Sequence, residues 1–450
     1  MVAALVLEPR ALATLARNPR RGAYYCAAVA ALARDLEDRG TRLIVRRGPA
    51  KRTIAGLAKE VGARAVTWSA RYGAAAQYEG RDLQSALEEQ GLRATIVHDA
   101  PAVPPEETAA ARSSDGGHGY RALSPYLTAW AAQSRESWTA TVRFANPAVP
   151  SESLPAAQEC GSGTFSAPTA SEAAVLAAFD AYLGGPILHY RTARNVPADG
   201  PTSHLSAPLS FGVVSARTIL KRVDERARDP FLLAEERLAL QSFAQALARR
   251  DFFLQLAWFF EESPDAVLQQ RMRTFRFARS HPALDAWREG RTGFPLVDAG
   301  IRQLRATGWM HPRVRSVAAS FLCFDLGVDW RVGRDTWDAE LIEDDAALAN
   351  GNWQWAAGVG ADLAQFPRIY NPRKQARSFD PAGAYVRRWI PELANRPDAD
   401  IFDASAASRR RQLPLPLFDG AHYDAPVLEH EPVARAFLAR YAEFVLGPKR

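Results

Sequence analysis

The chain has 450 residues, too many for one compact core, so two domains are expected. Hydrophobic residues make up 47% and charged residues 24%, the balance of an ordinary globular protein. A formal net charge of +6 favours phosphate-bearing partners, while three scattered cysteines, Cys26, Cys160 and Cys323, form no C-x-x-C pair and imply no disulfide framework.

In chain order, Ala3 to Leu7 reads as a strand, too short for a secretory core. Tyr24 to Arg39 predicts a helix with Ala27, Ala31 and Leu32 on one side, closed by Gly40. Strand Leu43 to Val45, helix Thr53 to Val61, strand Ala65 to Trp68, helix Leu83 to Gln90 and strand Ala94 to Val97 follow. Strands alternating with helices argue for an α/β domain over residues 1–100, built on a Rossmann-like parallel sheet. No G-x-G-x-x-G follows the first strand, so a dinucleotide fingerprint is absent.

Residues 101–173 read as a connector, marked by Pro104-Pro105, Ser113 to Gly117, Pro147 to Pro155 and Gly161-Ser162-Gly163, with a short ordered piece at Tyr120 to Trp130. Residues 174–450 read as all-α. Leu238 to Glu261 spaces Leu240, Phe243, Leu247 and Leu254 as one helix face, interrupted by Arg250. Arg291 to Arg305 and Arg313 to Leu326 are further amphipathic helices. No segment is long and apolar enough to span a membrane, so a cytoplasmic location without membrane partners is expected.

Several stretches carry chemistry. Gly200-Pro201-Thr202-Ser203-His204-Leu205-Ser206 offers hydroxyls and backbone N–H groups suited to a pyrophosphate, or simply to a helix cap. Arg313 and Arg315 lie two apart and face different directions. An inward Arg315 paired with one of Glu343, Asp344 or Asp345 would be a buried ion pair and would mark a site; the alternative is a solvated surface pair. Asn350-Gly351-Asn352-Trp353-Gln354-Trp355 interleaves small and polar residues with large rings, forming either core or a wall that stacks on a flat ligand or base. His281 to Asp285 reads as a helix start, since no third metal ligand is evident. Arg409-Arg410-Arg411 reads as a solvated surface.

Taken together, these stretches resemble the photolyase/cryptochrome family over roughly Tyr190 to Leu393. Thr202 to Ser206 resembles its T-S-x-L-S loop, Arg291 to Asp298 its K-T-G-[FY]-P-x-V-D, and Gly308 to Arg313 its G-W-M-H-N-R with Pro312 in place of Asn. Asp329-Trp330-Arg331, Asn350 to Trp355, Arg368 to Pro372 and Trp389 to Leu393 resemble D-W-R, N-G-x-W-Q-W, R-I-[FY]-N-P and W-[IVL]-P-E-L.

The resemblance implies FAD within the helical domain. Tyr190, Thr202, Ser203, Leu205 and Ser206 would hold its phosphates and ribityl side, with Arg250 alongside, Arg315 paired with Glu343 at the ring, Asp345 in contact and Ala349 facing flavin N5. Trp353 and Trp330 match the inner two members of the family's electron-transfer triad; the outer position is Phe277. Trp355, Arg194, Arg313 and Arg368 match positions that face the lesion or its phosphates, and Arg249 occupies a lesion-contacting one. The implied activity is light-dependent repair of pyrimidine dimers in damaged DNA by a monomer, with a cryptochrome-like photoreceptor as the alternative. The family's W-F-R-x-D-L-R opening is missing, so no antenna chromophore is named. Ala246, Arg249, Pro312, Ser316 and Ala349 depart from the lesion-pocket residues usual in class I dimer photolyases.

Overall fold

The structure, a computed structural model, describes residues 1–110, 119–133, 142–161, 163, 165–198, 202–260, 265–361, 366–402 and 423–447. Ser113 to Gly117, Ser162, Gly200-Pro201, Glu261 and Arg409 to Arg411 lie outside the described residues. The chain divides into two compact units. The first is Met1–Leu188, Ser203–Pro264 and Leu341–Leu348; the second is His189–Thr202, Asp265–Glu340 and Ala349–Arg450.

In the first unit, strand Ala3–Leu7 pairs in parallel with Leu43–Arg47, and Ala65–Ser69 with Arg93–Val97. Among the described residues these are two two-stranded parallel sheets, with helices in the connections. The helix expected from Tyr24 begins at Pro19, because the Asn18 side chain accepts from Arg21 N at 3.1 Å and Pro19 occupies the first turn, where no N–H is needed. Its buried stripe is Val29, Ala33 and Leu36, packed on Leu7, Leu43 and Val45. Of the residues expected together on one side, Ala31 is buried whereas Leu32 is 48% exposed. Helix Ala74–Glu88 starts nine residues before the expected Leu83 and packs Leu83 and Leu87 on Ala55 and Ala94.

The helix Ala234–Phe259 buries Leu240, Phe243, Leu247 and Leu254, the face expected from spacing. The connector is clamped to it. Asp251 Oδ2 accepts from the backbone N–H of Ala102 (2.9 Å) and Val103 (3.2 Å) and from Trp130 Nε1 (2.9 Å). Gln255 accepts from Tyr120 N at 2.9 Å and donates to its carbonyl at 2.6 Å.

In the second unit, the helix expected from Arg291 begins at Pro295. The fully buried Asp298 holds the preceding turn: its carboxylate accepts from Thr292 N (2.8 Å), Thr292 Oγ1 (2.6 Å), Gly293 N (2.9 Å) and the Tyr423 hydroxyl. Gly293 has φ 77°, and a Cβ there would meet the backbone of Ala425 and Pro426 at 2.4–2.5 Å, so glycine is required. The expected helix Arg313 to Leu326 is Pro312–Ser320 followed by a π-type turn, Phe321–Asp325. Pro312 fits the first turn of that helix, where its missing N–H costs nothing.

Candidate active site

The acidic segment and the hydroxyl loop meet in the first unit. Two residues of helix Pro19–Asp38 and its cap hold Leu341–Glu343 by its carbonyls: Asn18 Nδ2 donates to Leu341 O at 2.8 Å, and Arg21 Nη2 donates to Leu341 O (3.2 Å) and Glu343 O (3.0 Å). Arg21 also pairs with Asp344 at 3.5 Å. Beneath them Tyr24, Ala170, Ala207 and Ile342 form one buried cluster. So fixed, the segment presents Glu343 to Ser206, whose hydroxyl lies 3.3 Å from Oε2, and takes Ser210 Oγ at Asp344 N, 2.7 Å away. Sequence reasoning missed Asn18 and Arg21; their partners lie more than 300 positions along the chain, and no local pattern marks such a pair.

Arg250 occupies the same neighbourhood. It donates to Ala100 O (2.6 Å) and Leu209 O (3.3 Å) and faces Asp345 at 3.5 Å. Asp345 Oδ1 accepts from Leu348 N at 3.2 Å, at the start of helix Ala346–Ala356. Burial raises the Asp345 carboxyl above its ordinary pKa, with Arg250 pulling the other way. Leu205 is buried, Ser203 half-buried and Ser206 exposed, and His204 sits at φ 49°, a left-handed conformation that is costly for a non-glycine residue. Arg249 is exposed on its helix.

In the second unit, Tyr190 is half-buried, with the Arg194 guanidinium 5.7 Å from its ring. The Thr202 hydroxyl is buried and has no hydrogen-bond partner among the described residues. Arg315 donates from Nε to Met310 O at 2.8 Å. Arg313 donates to Asn195 Oδ1 at 3.1 and 2.7 Å and lies 4.6 Å from the Phe379 ring, so its partners differ from that of Arg315. Arg368 is exposed and Ala349 half-buried.

The tryptophans are arranged by helix geometry. Trp353 and Trp355, two apart on one helix, go to opposite fates: Trp353 is buried and Trp355 is 44% exposed. Between them Gln354 is buried and bridges to the main chain, donating to Ala266 O (3.1 Å) and accepting from Leu268 N (2.8 Å). Trp353 meets Trp337 with ring centroids 4.5 Å apart, and Trp337 stacks on Trp287 at 6.2 Å. Gly333 permits this, since a Cβ there would stand 2.2 Å from the Trp353 ring. Trp330 is fully buried, with Arg331 and Arg334 4.6 and 5.3 Å from its ring. Phe277 stacks on Phe437 at 6.0 Å. Trp337 and Trp287 were not singled out by sequence; they lie on separate helices, Leu284–Glu289 and Trp330–Asp338, and a single tryptophan in a helical domain reads as ordinary core.

Within the first unit, the buried Arg250–Asp345 pair and the hydroxyls of Ser206 and Ser210 form a donor set that fits a phosphate- and ribityl-bearing cofactor. Comparison with known proteins agrees. Residues 243–443 match the FAD-binding domain of DNA photolyase, and residues 1–148 match the DNA photolyase family. A deoxyribodipyrimidine photo-lyase of Halobacterium salinarum is 32% identical, over 92% of this chain and 85% of the relative. A Synechocystis cryptochrome superposes with a TM-score of 0.83 at 25% identity, covering 97% of this chain and 92% of that one. A class III photolyase from Agrobacterium tumefaciens gives 0.80 at 27% identity, covering 98% and 92%. The expectation of an α/β N-terminal part and a helical C-terminal part, drawn from strand and helix patterning, is borne out, as is the family resemblance. The chain belongs to the photolyase/cryptochrome family, with an FAD-binding helical domain.

Proposed function

We propose that this chain is a light-driven DNA-repair lyase, a deoxyribodipyrimidine photolyase acting on pyrimidine dimers. The observation that carries the reading is the buried Arg250–Asp345 pair beside Ser206 and Glu343, an arrangement costly to keep in a core and suited to a charged, hydroxyl-rich cofactor. Tyr190, Thr202, Ser203, Leu205 and Ser206 would hold the phosphates and ribityl chain of FAD, and Arg250, Arg315, Glu343, Asp345 and Ala349 would line its ring side. When bound and reduced, FAD supplies on illumination the electron that opens the dimer and receives it back. The chain's own residues would do the rest. Trp355, exposed, would stack on the flipped lesion, while Arg194, Arg249, Arg313 and Arg368 grip phosphates and position the strand. Trp353 and Trp330 would relay electrons inward. Residues 1–100 would serve as the antenna-type domain, 101–173 as connector and 174–450 as the catalytic domain, in a cytoplasmic monomer.

A second reading, a cryptochrome-like photoreceptor, draws on Ala246, Arg249, Pro312, Ser316 and Ala349, which replace the usual lesion-pocket residues, and on the likeness to the Synechocystis cryptochrome. Illumination of the reduced protein with a dimer-bearing oligonucleotide separates the two. Repair predicts loss of dimers with turnover. Intact dimers in protein that carries a full complement of flavin would replace repair with light sensing.

A further inference from the structure

The connector touches the helix Pro19–Asp38 at one place through cysteine. Turn residues 156–161 are closed by backbone bonds from Glu159, Cys160 and Gly161 and by Glu159, whose carboxylate accepts from Ala156 N at 2.8 Å and from Arg47 at 2.7 and 3.0 Å. The turn lies flush on the helix: a Cβ at Gly22 would stand 1.9 Å from the Cys160 carbonyl oxygen, and one at Gly161, which has φ 64°, would stand 2.7 Å from Ala16 O. One helical turn beyond Gly22, Cys26 approaches Ala156 O at 3.9 Å, and its sulfur is near enough to that of Cys160 for each to influence the other's ionisation. Cys160 is fully buried; Cys26 is partly exposed.

We propose that Cys26 and Cys160 are a reversible redox pair, oxidised by peroxides to a disulfide that fastens the connector to the Pro19–Asp38 helix. The interaction with Cys160 is the largest influence on Cys26 and lowers its pKa, against burial and Glu159; the same interaction, with burial, raises Cys160, while Arg47 lowers it. Tyr25 is the other titratable group facing the two sulfurs. The exposure of Cys26 and the burial of Cys160, in line with this asymmetry, assign the order of events. The Cys26 thiolate attacks one peroxide oxygen, the O–O bond breaks, and the leaving hydroxide takes a proton to become water, leaving Cys26 sulfenic acid. Cys160 sulfur then attacks the Cys26 sulfur; the S–S bond forms, the S–O bond breaks, and the second hydroxide leaves as water with the Cys160 proton. Two thiols and one peroxide become one disulfide and two waters. In a reducing compartment the pair rests as thiols, and thiol exchange reverses the bond.

The test treats the full-length flavoprotein with hydrogen peroxide, alkylates remaining thiols after denaturation, and digests with trypsin without reductant. Peptide 22–34 should be found linked to peptide 144–191, released by dithiothreitol, with buried Cys323 still alkylated. In Cys160→Ala, Cys26 should stop at sulfenic acid, trapped by dimedone. In Cys26→Ser, Cys160 should stay reduced. Wild-type protein in which Cys26 reaches sulfinic acid while Cys160 remains alkylated, or in which Cys323 oxidises first, would overturn the pair.

Discussion

Arg250 Nη2 and Asp345 Oδ2 lie 3.5 Å apart with side chains only 9% and 13% exposed. Both charges have been taken out of water, and the desolvation of each is recovered only because Arg250 also meets the carbonyls of Ala100 and Leu209 and Asp345 also accepts from Leu348 N. An apolar pair of similar volume would fill the space at no such cost. On the proposed function, retaining the charges here serves a bound cofactor.

Arg250→Met therefore has two separable effects. Losing one member of a buried pair strands the other, at a cost of about 3–5 kcal/mol, read from urea denaturation. The double variant Arg250→Met/Asp345→Leu should recover most of that stability while still failing to retain flavin, read as the ratio of flavin to protein absorbance. A double variant that binds flavin normally would make the pair purely structural.

Electron transfer offers a choice between paths. Trp353 touches Trp337, which stacks on Trp287, whereas the position that the family resemblance would place outward of Trp330 is Phe277, a poorer donor packed among Phe275 and Phe437. Trp337→Phe, which keeps the aromatic packing, should slow flavin photoreduction in transient absorption. Trp330→Phe tests the relay through Trp330 in the same assay. If only the second variant slows photoreduction, the Trp337–Trp287 stack is core and nothing more.

Much of this was legible because the telling signals are local. Pro372 after the cap Asn371, Pro312 after the cap His311, and Asp298 holding Thr292 and Gly293 are each fixed within a few residues. For the same reason several motifs that mark the family do architectural work: Glu392 of the Trp389–Leu393 stretch binds Arg302 at 2.8 Å, and Asn350 accepts from Arg334 at 2.8 Å. What was not legible depends on chain packing. Arg21 reaches Glu343 and Cys26 reaches Cys160 only once the helix Pro19–Asp38 is surrounded, and neither side of either contact shows a periodicity that would announce it.

The exposed arginines make a different kind of prediction. Arg368 is solvent-exposed, so its contribution to DNA binding would be the release of a condensed counterion. Arg368→Ala should weaken binding of a dimer-bearing duplex about equally for any flanking sequence, and should reduce the slope of log K against log salt by about 0.9. Filter binding or anisotropy across a salt series measures both. An unchanged slope would remove Arg368 from the interface.

Asp251 makes stability depend on pH. It is fully buried, and desolvation raises its pKa to about 6, although Arg250 stands 4.0 Å away and Ala102, Val103 and Trp130 donate to it. The folded state therefore holds this proton more tightly than the unfolded chain, whose aspartates titrate near 3.9. The favourable contribution is complete below about pH 4 and is lost as pH rises through 6, a difference of about 3 kcal/mol by pH 7. Asp251→Asn keeps an acceptor for the three N–H donors but carries no proton equilibrium. Any hydrogen-bond loss it causes applies equally at both ends of the range. Relative to wild type, the variant should thus be more stable at pH 7.5 than at pH 4.5 by about 2 kcal/mol, read from urea denaturation at the two values. An identical difference at both would place Asp251 at its ordinary pKa and assign the clamp on the connector to hydrogen bonding alone.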